Sequence, residues 1–146
     1  MSNGSILLAD DDQDMVDSLS RWFRRKGYQT TPTYHPMQSL IAVANNRYDV
    51  AVIDIGLPDT NGLELLEELV ELDLFPVIVL TGRSNPESEI EAYKRGAYKY
   101  MIKPVSMDRI EDAVREALLQ KVGVSVPTDD GPNVGSRPEG FADVQF

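Results

Sequence analysis

Asp54 has the most evident chemical potential in this chain. It ends the apolar run Val50-Ala51-Val52-Ile53 and is followed by a loop containing the breakers Pro58, Asp59, Asn61 and Gly62. A carboxylate at the carboxyl end of a buried strand holds a loop, binds a cation or acts as a nucleophile. Three further apolar runs end in polar groups. Ile6-Leu7-Leu8-Ala9 leads into Asp10, Asp11 and Asp12. Pro76-Val77-Ile78-Val79-Leu80 leads into Thr81-Gly82, and the run from Tyr98 to Ile102 leads into Lys103-Pro104. One such ending is a weak signal, but four at matched positions form a strong one. Carboxylates a few ångströms apart repel, each close pair costing on the order of 4 kcal/mol at an effective dielectric of about 20. Such a cluster takes up protons or binds a hard cation. With oxygen ligands alone, Mg2+ is the natural choice. Lys103 adds a fixed positive charge and Thr81 a hydroxyl. The set is incomplete for ester or peptide hydrolysis. It suits phosphoryl transfer, in which a carboxylate attacks phosphorus while the cation and the lysine neutralise the phosphoryl oxygens.

Positioning these groups requires strands that alternate with helices. Met15, Leu19 and Phe23 recur at helical spacing, with Val16 and Trp22 beside them, and Gly27 is the expected stop. Arg21, Arg24, Arg25 and Lys26 lie at or near the end of that helix, where they favour its dipole. Tyr28 to Thr33 reads as a second strand, polar enough for a sheet edge. His35-Pro36 opens a short helix carrying Leu40, Ile41, Val43 and Ala44, ended by Asn45-Asn46, and His35 reads as a surface loop residue. Leu63 to Leu72 reads as a third helix, capped by Asn61 with Glu64 three residues on. Ser84-Asn85-Pro86-Glu87 starts a fourth. Its apolar residues are Ile90, Tyr93 and little else, so a loosely held, movable element is expected. Ser106 can cap a last helix with Met107, Ile110, Val114, Ala117 and Leu118 on one stripe. Five strands alternating with helices predict an α/β fold, with a parallel sheet and helices on both faces. Ligands then bind beyond the carboxyl ends of the strands.

Composition narrows the function classes. The 146 residues carry a formal net charge of -10, which argues against nucleic acid or an anionic membrane as a partner of this segment. Without cysteine, thiolate metal sites, disulfides and cysteine nucleophiles are excluded, and the single histidine excludes a multi-histidine metal site. The N-terminus lacks a basic stretch before a long apolar one, and no apolar run approaches the roughly 20 residues of a membrane span. A cytoplasmic location is the expectation. From Gly123 the character changes: the last 24 residues hold four Gly and three Pro with no sustained periodicity. Residues 1–121 are expected to form one domain and 122–146 a linker or flexible tail, with Phe141, Val144 and Phe146 as its apolar points.

The segments LLADDD at 7–12, VIDIGLPDTNG at 52–62, VLTG at 79–82 and GAYKYMIKP at 96–104 give the chain a marked resemblance. It resembles a response-regulator receiver domain of two-component signal transduction, over about residues 4 to 121. The resemblance implies a flavodoxin-like five-stranded parallel sheet of order 2-1-3-4-5. It implies that Asp54 is the phospho-acceptor, charged by a histidine kinase, a phosphotransfer protein or a small phosphodonor. Asp11, Asp54 and the backbone carbonyl of Gly56 would hold Mg2+ directly, and Asp10 through water. Thr81, Gly82 and Lys103 would bind the phosphoryl group. Thr81 and Tyr100 would form the switch, and the Lys103-Pro104 bond would be cis. Asp12 reads as a charge at a helix N-terminus. Gly56 and Arg83 stand where receivers vary.

The implied activity is a Mg2+-dependent phosphorelay step that produces an aspartyl phosphate. It includes only self-phosphorylation and slow autodephosphorylation, not turnover of a substrate. The output surface would lie on the fourth helix, the fifth strand and the last helix, facing a partner or a second copy. Three other readings compete. A haloacid-dehalogenase-type phosphohydrolase needs a second Asp two residues after the nucleophile, where this chain has Gly56. A phosphate-independent, receiver-like interaction module would be expected to have lost part of the constellation. A Mg2+-stabilised domain without signalling would bind metal and take up no phosphoryl group.

Overall fold

The computed structural model describes residues 2–55, 62–73, 75–82 and 86–121. The strands are β1 (Ser5–Ala9), β2 (Gln29–Thr33), β3 (Val50–Asp54), β4 (Val77–Thr81) and β5 (Lys99–Ile102). The helices are α1 (Gln13–Arg25), α2 (Pro36–Asn45), α3 (Gly62–Asp73), α4 (Pro86–Lys94) and α5 (Met107–Lys121). All strands pair in parallel in the order β2-β1-β3-β4-β5. This is the architecture the sequence predicts, with element ends shifted by one or two residues. The expected cap Asn61, the helix start at Ser84, Gly56, Arg83 and the expected tail over 122–146 lie outside the described residues.

The core follows from strand alternation. β3 and β4 are buried at every position, as strands covered on both faces must be. On one face Leu7, Ala51, Ile53, Val77 and Val79 pack beneath α2, α3 and α4. On the other, Ile6, Leu8, Val50, Val52, Ile78 and Leu80 pack beneath α1 and α5. The edge strand β2 is mostly half-exposed and tolerates Pro32, which cannot donate to a ladder.

The helices differ in detail from their expected faces. In α1 the buried positions are Val16, Leu19, Ser20 and Phe23, with Met15 only half-buried. Asp12 caps this helix, accepting from the Met15 N–H at 3.2 Å. The basic residues at its far end have local roles: Lys26 lies 4.9 Å from the Trp22 ring centre, and Arg24 Nε donates to Thr30 Oγ1. His35 caps α2, its Nδ1 accepting from the Met37 N–H. In α2 the expected apolar residue Ile41 is exposed, while Ser39 is fully buried and shares a hydrogen bond with Thr33. A buried serine with a partner costs little, so polarity alone does not reveal its direction. Helix α4 is weakly buried, as its few apolar residues predict. Ile90 and Tyr93 are exposed at 56% and 42%, and Ala92 is its buried residue. In α5, Glu111 is buried because it accepts from the Trp22 indole N–H at 3.2 Å and faces Arg115.

Gly27 and Gly96 end α1 and α4 with φ of +94° and +108°, where residues with a Cβ are strained. At Gly96 an added Cβ would also lie 3.1 Å from a Val70 methyl carbon on α3. Gly96→Ala is therefore expected to destabilise the domain by about 1–2 kcal/mol. Urea denaturation should show a lowered midpoint at unchanged slope; an unaltered midpoint would mean that this turn carries no strain.

Candidate functional site

Register explains why the polar strand ends converge. β1 and β3 are aligned with Ala9 opposite Ile53, so Asp10 and Asp54 fall side by side one residue later. β3 and β4 are aligned with Asp54 opposite Leu80, and β4 and β5 with Thr81 opposite Ile102. Thr81 therefore sits one step beyond Asp54, and Lys103 two steps beyond. Successive side chains point to opposite faces of a sheet. The even spacing thus places Asp10, Asp54 and Lys103 towards the α1–α5 side. The odd step places Thr81 towards the α4 side, the side that Tyr100 also faces.

Lys103 bridges the two buried carboxylates. Its Nζ donates to Asp10 Oδ2 at 2.8 Å and to Asp54 Oδ2 at 2.9 Å. The second oxygen of Asp10 accepts from the Asp12 N–H at 3.1 Å. Asp10 is thus held on both sides, and its backbone N–H is anchored on the Thr33 carbonyl. Asp11 is exposed, and one oxygen from each of Asp10, Asp11 and Asp54 lies within 4.8 Å of the others. Among the described residues, the cluster sets three carboxylates against one ammonium, an excess of negative charge. An all-oxygen set with that balance fits a hard divalent cation such as Mg2+. Asp11 has the most accessible carboxylate and Asp54 the next.

Thr81 is buried, and its carbonyl accepts from the Lys103 N–H at 2.8 Å, which ties β4 to the residue beyond β5. Gly82 is exposed. The Lys103-Pro104 peptide bond is cis. Tyr100 is 5% exposed; its hydroxyl donates to Ser88 Oγ at 3.2 Å, and its backbone N–H donates to the Tyr93 hydroxyl at 3.1 Å. Neither Ser88 nor the Tyr93 hydroxyl is foreseen from the sequence, because contacts between a helix and a sheet edge leave no local spacing to detect.

The sequence pattern of the response regulator receiver domain matches residues 6–115. The chain belongs to the response regulator receiver domain family. It is 29% identical over 139 residues to the transcriptional regulatory protein ZraR of Salmonella typhimurium, covering 91% of this chain and 32% of ZraR. It is 33% identical over 145 residues to the DNA-binding transcriptional regulator NtrC of a Bradyrhizobium species, covering 94% and 30%. The chain thus spans about a third of the length of these curated relatives. A CheY-like receiver domain structure from Methanospirillum hungatei superposes with a TM-score of 0.78 at 29% identity, covering 81% of this chain and 95% of that one. Receiver domains are signalling modules of two-component systems rather than typical enzymes. Among the described residues, no helix is long and apolar enough to cross a membrane.

Burial lowers the Lys103 pKa, but the hydrogen bonds and charges of Asp10 and Asp54 raise it further, leaving it above the ordinary 10.5. A pKa raised on folding stabilises the fold below the unfolded value, and that contribution is lost as pH rises through the folded value. The stability difference between the wild type and Lys103→Met should therefore be flat between about pH 7 and pH 10 and shrink above that. Denaturant titrations at stepped pH measure this. A difference that widened in alkali would contradict the ion-pair assignment.

Proposed function

We propose that this receiver domain accepts a phosphoryl group on Asp54, in a Mg2+-dependent step, and thereby switches a binding surface. The carrying observation is the Lys103 ammonium held between Asp10 and Asp54, with the exposed carboxylate of Asp11 alongside. In the proposed step an Asp54 carboxylate oxygen forms a bond to phosphorus. The donor's bond to phosphorus breaks, and its electron pair leaves with the donor group. A histidine kinase or phosphotransfer protein is the proposed physiological donor, and its leaving group is an imidazole nitrogen. Asp11, Asp54 and the Gly56 carbonyl would hold Mg2+, with Asp10 acting through water. Bound Mg2+ would supply positive charge to the phosphoryl oxygens.

This chain's own residues do the remainder. Lys103 passes from neutralising the unphosphorylated Asp54 carboxylate to neutralising the phosphoryl group. Thr81 and Gly82 are next to the acceptor in register, and the Thr81 hydroxyl is the proposed donor to a phosphoryl oxygen. The acceptor's charge rises from one negative charge to about two, which draws on both Thr81 and Lys103. Thr81 shares a sheet face with Tyr100, so its movement is transmitted towards α4. The readout surface would be α4, β5 and α5, where Ile90, Tyr93 and Ile102 are exposed large side chains. A second copy or an effector would cover it. The phosphate-independent interaction module is the alternative, because the same surface could bind a partner without phosphorylation.

The test is intact mass after incubation with Mg2+ and acetyl phosphate, beside Asp54→Asn. One added phosphoryl group is expected in the wild type, none in Asp54→Asn and none when EDTA removes the cation. If the mass stays unchanged and neither Mg2+ nor beryllofluoride binds, the phosphate-independent module replaces this reading. In the same assay Tyr100→Ala should take up the phosphoryl group while its partner or dimer binding changes. Loss of uptake in that variant would overturn the separation of acceptor from switch.

A further inference from the structure

Among the described residues, polar contacts help to join helix α4 to the sheet edge. Of its nine residues Ala92 is the buried one, and Ile90 and Tyr93 are exposed at 56% and 42%. Burial of one alanine contributes little, because apolar area removed from water is the main cohesive term between elements. Two hydrogen bonds to the same residue stand beside it. The Tyr93 hydroxyl accepts the Tyr100 backbone N–H at 3.1 Å, and the Tyr100 hydroxyl donates to Ser88 Oγ at 3.2 Å. The first uses an N–H of β5, the strand at the end of the sheet. The second depends on the Tyr100 rotamer, because only the inward ring brings its hydroxyl to α4.

We propose that Ser88 is a positioning residue of the switch, whose hydroxyl seats the inward Tyr100 ring and so makes the position of α4 and the rotamer of Tyr100 a single variable. A Tyr100 hydroxyl that is buried needs an acceptor, and losing it leaves an unsatisfied donor inside the protein. In the outward rotamer water supplies the acceptor. Displacing Ser88 therefore favours the outward ring, and turning the ring outward releases one of these two polar ties on α4. Tyr93 differs in kind: it grips the backbone and is insensitive to the rotamer. Within the switch proposed above, Ser88 is the point where the state of Tyr100 reaches the exposed surface of α4.

The test is a double-mutant cycle on the full chain in the unphosphorylated state, read by amide hydrogen exchange across Pro86–Lys94. Ser88→Ala and Tyr100→Phe should each speed α4 exchange several-fold, and the double variant should be no faster than either single one. Alanine forms helix more readily than serine, so faster exchange in Ser88→Ala would run against helix propensity. Ser88→Thr, which keeps the hydroxyl, should restore wild-type exchange. Beryllofluoride affinity should fall about tenfold or less in Ser88→Ala, with no such fall when the substitution is made in Tyr100→Phe. Unchanged exchange in Ser88→Ala, or equal and additive effects in the two backgrounds, would overturn the seat. The exchange cycle needs no phosphoryl group. Its outcome therefore stands apart from the Asp54 reading, which fails on its own if wild-type protein gains no phosphoryl mass.

Discussion

The bridge from Lys103 to Asp10 and Asp54 is the interaction on which the site depends. Two carboxylates side by side at adjoining strand ends repel each other, and the loops that carry them would be pushed apart without a counter-charge. Lys103 supplies that charge from a strand that is not adjacent to either. It is delivered by the register of β4 and β5 and by the bond from its own N–H to the Thr81 carbonyl. The bridge therefore closes the whole carboxyl edge of the sheet, from β1 to β5. Among the described residues, carboxylates still outnumber ammonium groups in the cluster. That acidic excess is what favours a hard divalent cation at such a site.

The two faces of the sheet divide the work. Alternation along each strand sends Asp10, Asp54 and Lys103 to the α1–α5 side. It sends Thr81 and Tyr100 to the α4 side. The acidic cluster and Tyr100 are then neighbours in the sheet on opposite faces, with Thr81 between them. The α1–α5 side is braced by the Trp22 indole bonded to the buried Glu111, a contact between two helices distant in sequence. On the α4 side, among the described residues, a buried alanine and hydrogen bonds to Tyr100 help to join the helix to the sheet edge. A switch needs an element of low stability beside a site of high rigidity, and the two faces supply one of each.

Much of this architecture is legible in the residues alone. Four apolar runs ending in Asp10, Asp54, Thr81 and Lys103 predict the parallel sheet and the edge at which these groups meet. Buried parallel strands leave an unbroken apolar signature, and their ends are where polarity begins. The caps are legible in part. Asp12 has the type and place of a charge at a helix start and proves to be the cap itself, while His35, with the look of a loop residue, caps α2. The helix faces are less legible. Ile90 and Tyr93 make the expected apolar side of α4, but the packed side is that of Ala92. Short helices carry too few apolar residues for periodicity to fix a face.

By itself the sequence determined the family, the order of strands and helices and the types of group at the site. Those properties are written in local runs and in the residues that end them. Only the tertiary structure decided the partners: Lys103 between Asp10 and Asp54, Ser88 beneath Tyr100, and Glu111 beneath Trp22. Each is a contact across a register or a helix-to-sheet gap, whose geometry is set by how the strands align and how the helices pack. A polar side chain carries no local mark of which distant group will satisfy it, because burial and hydrogen bonding are decided together when the layers close.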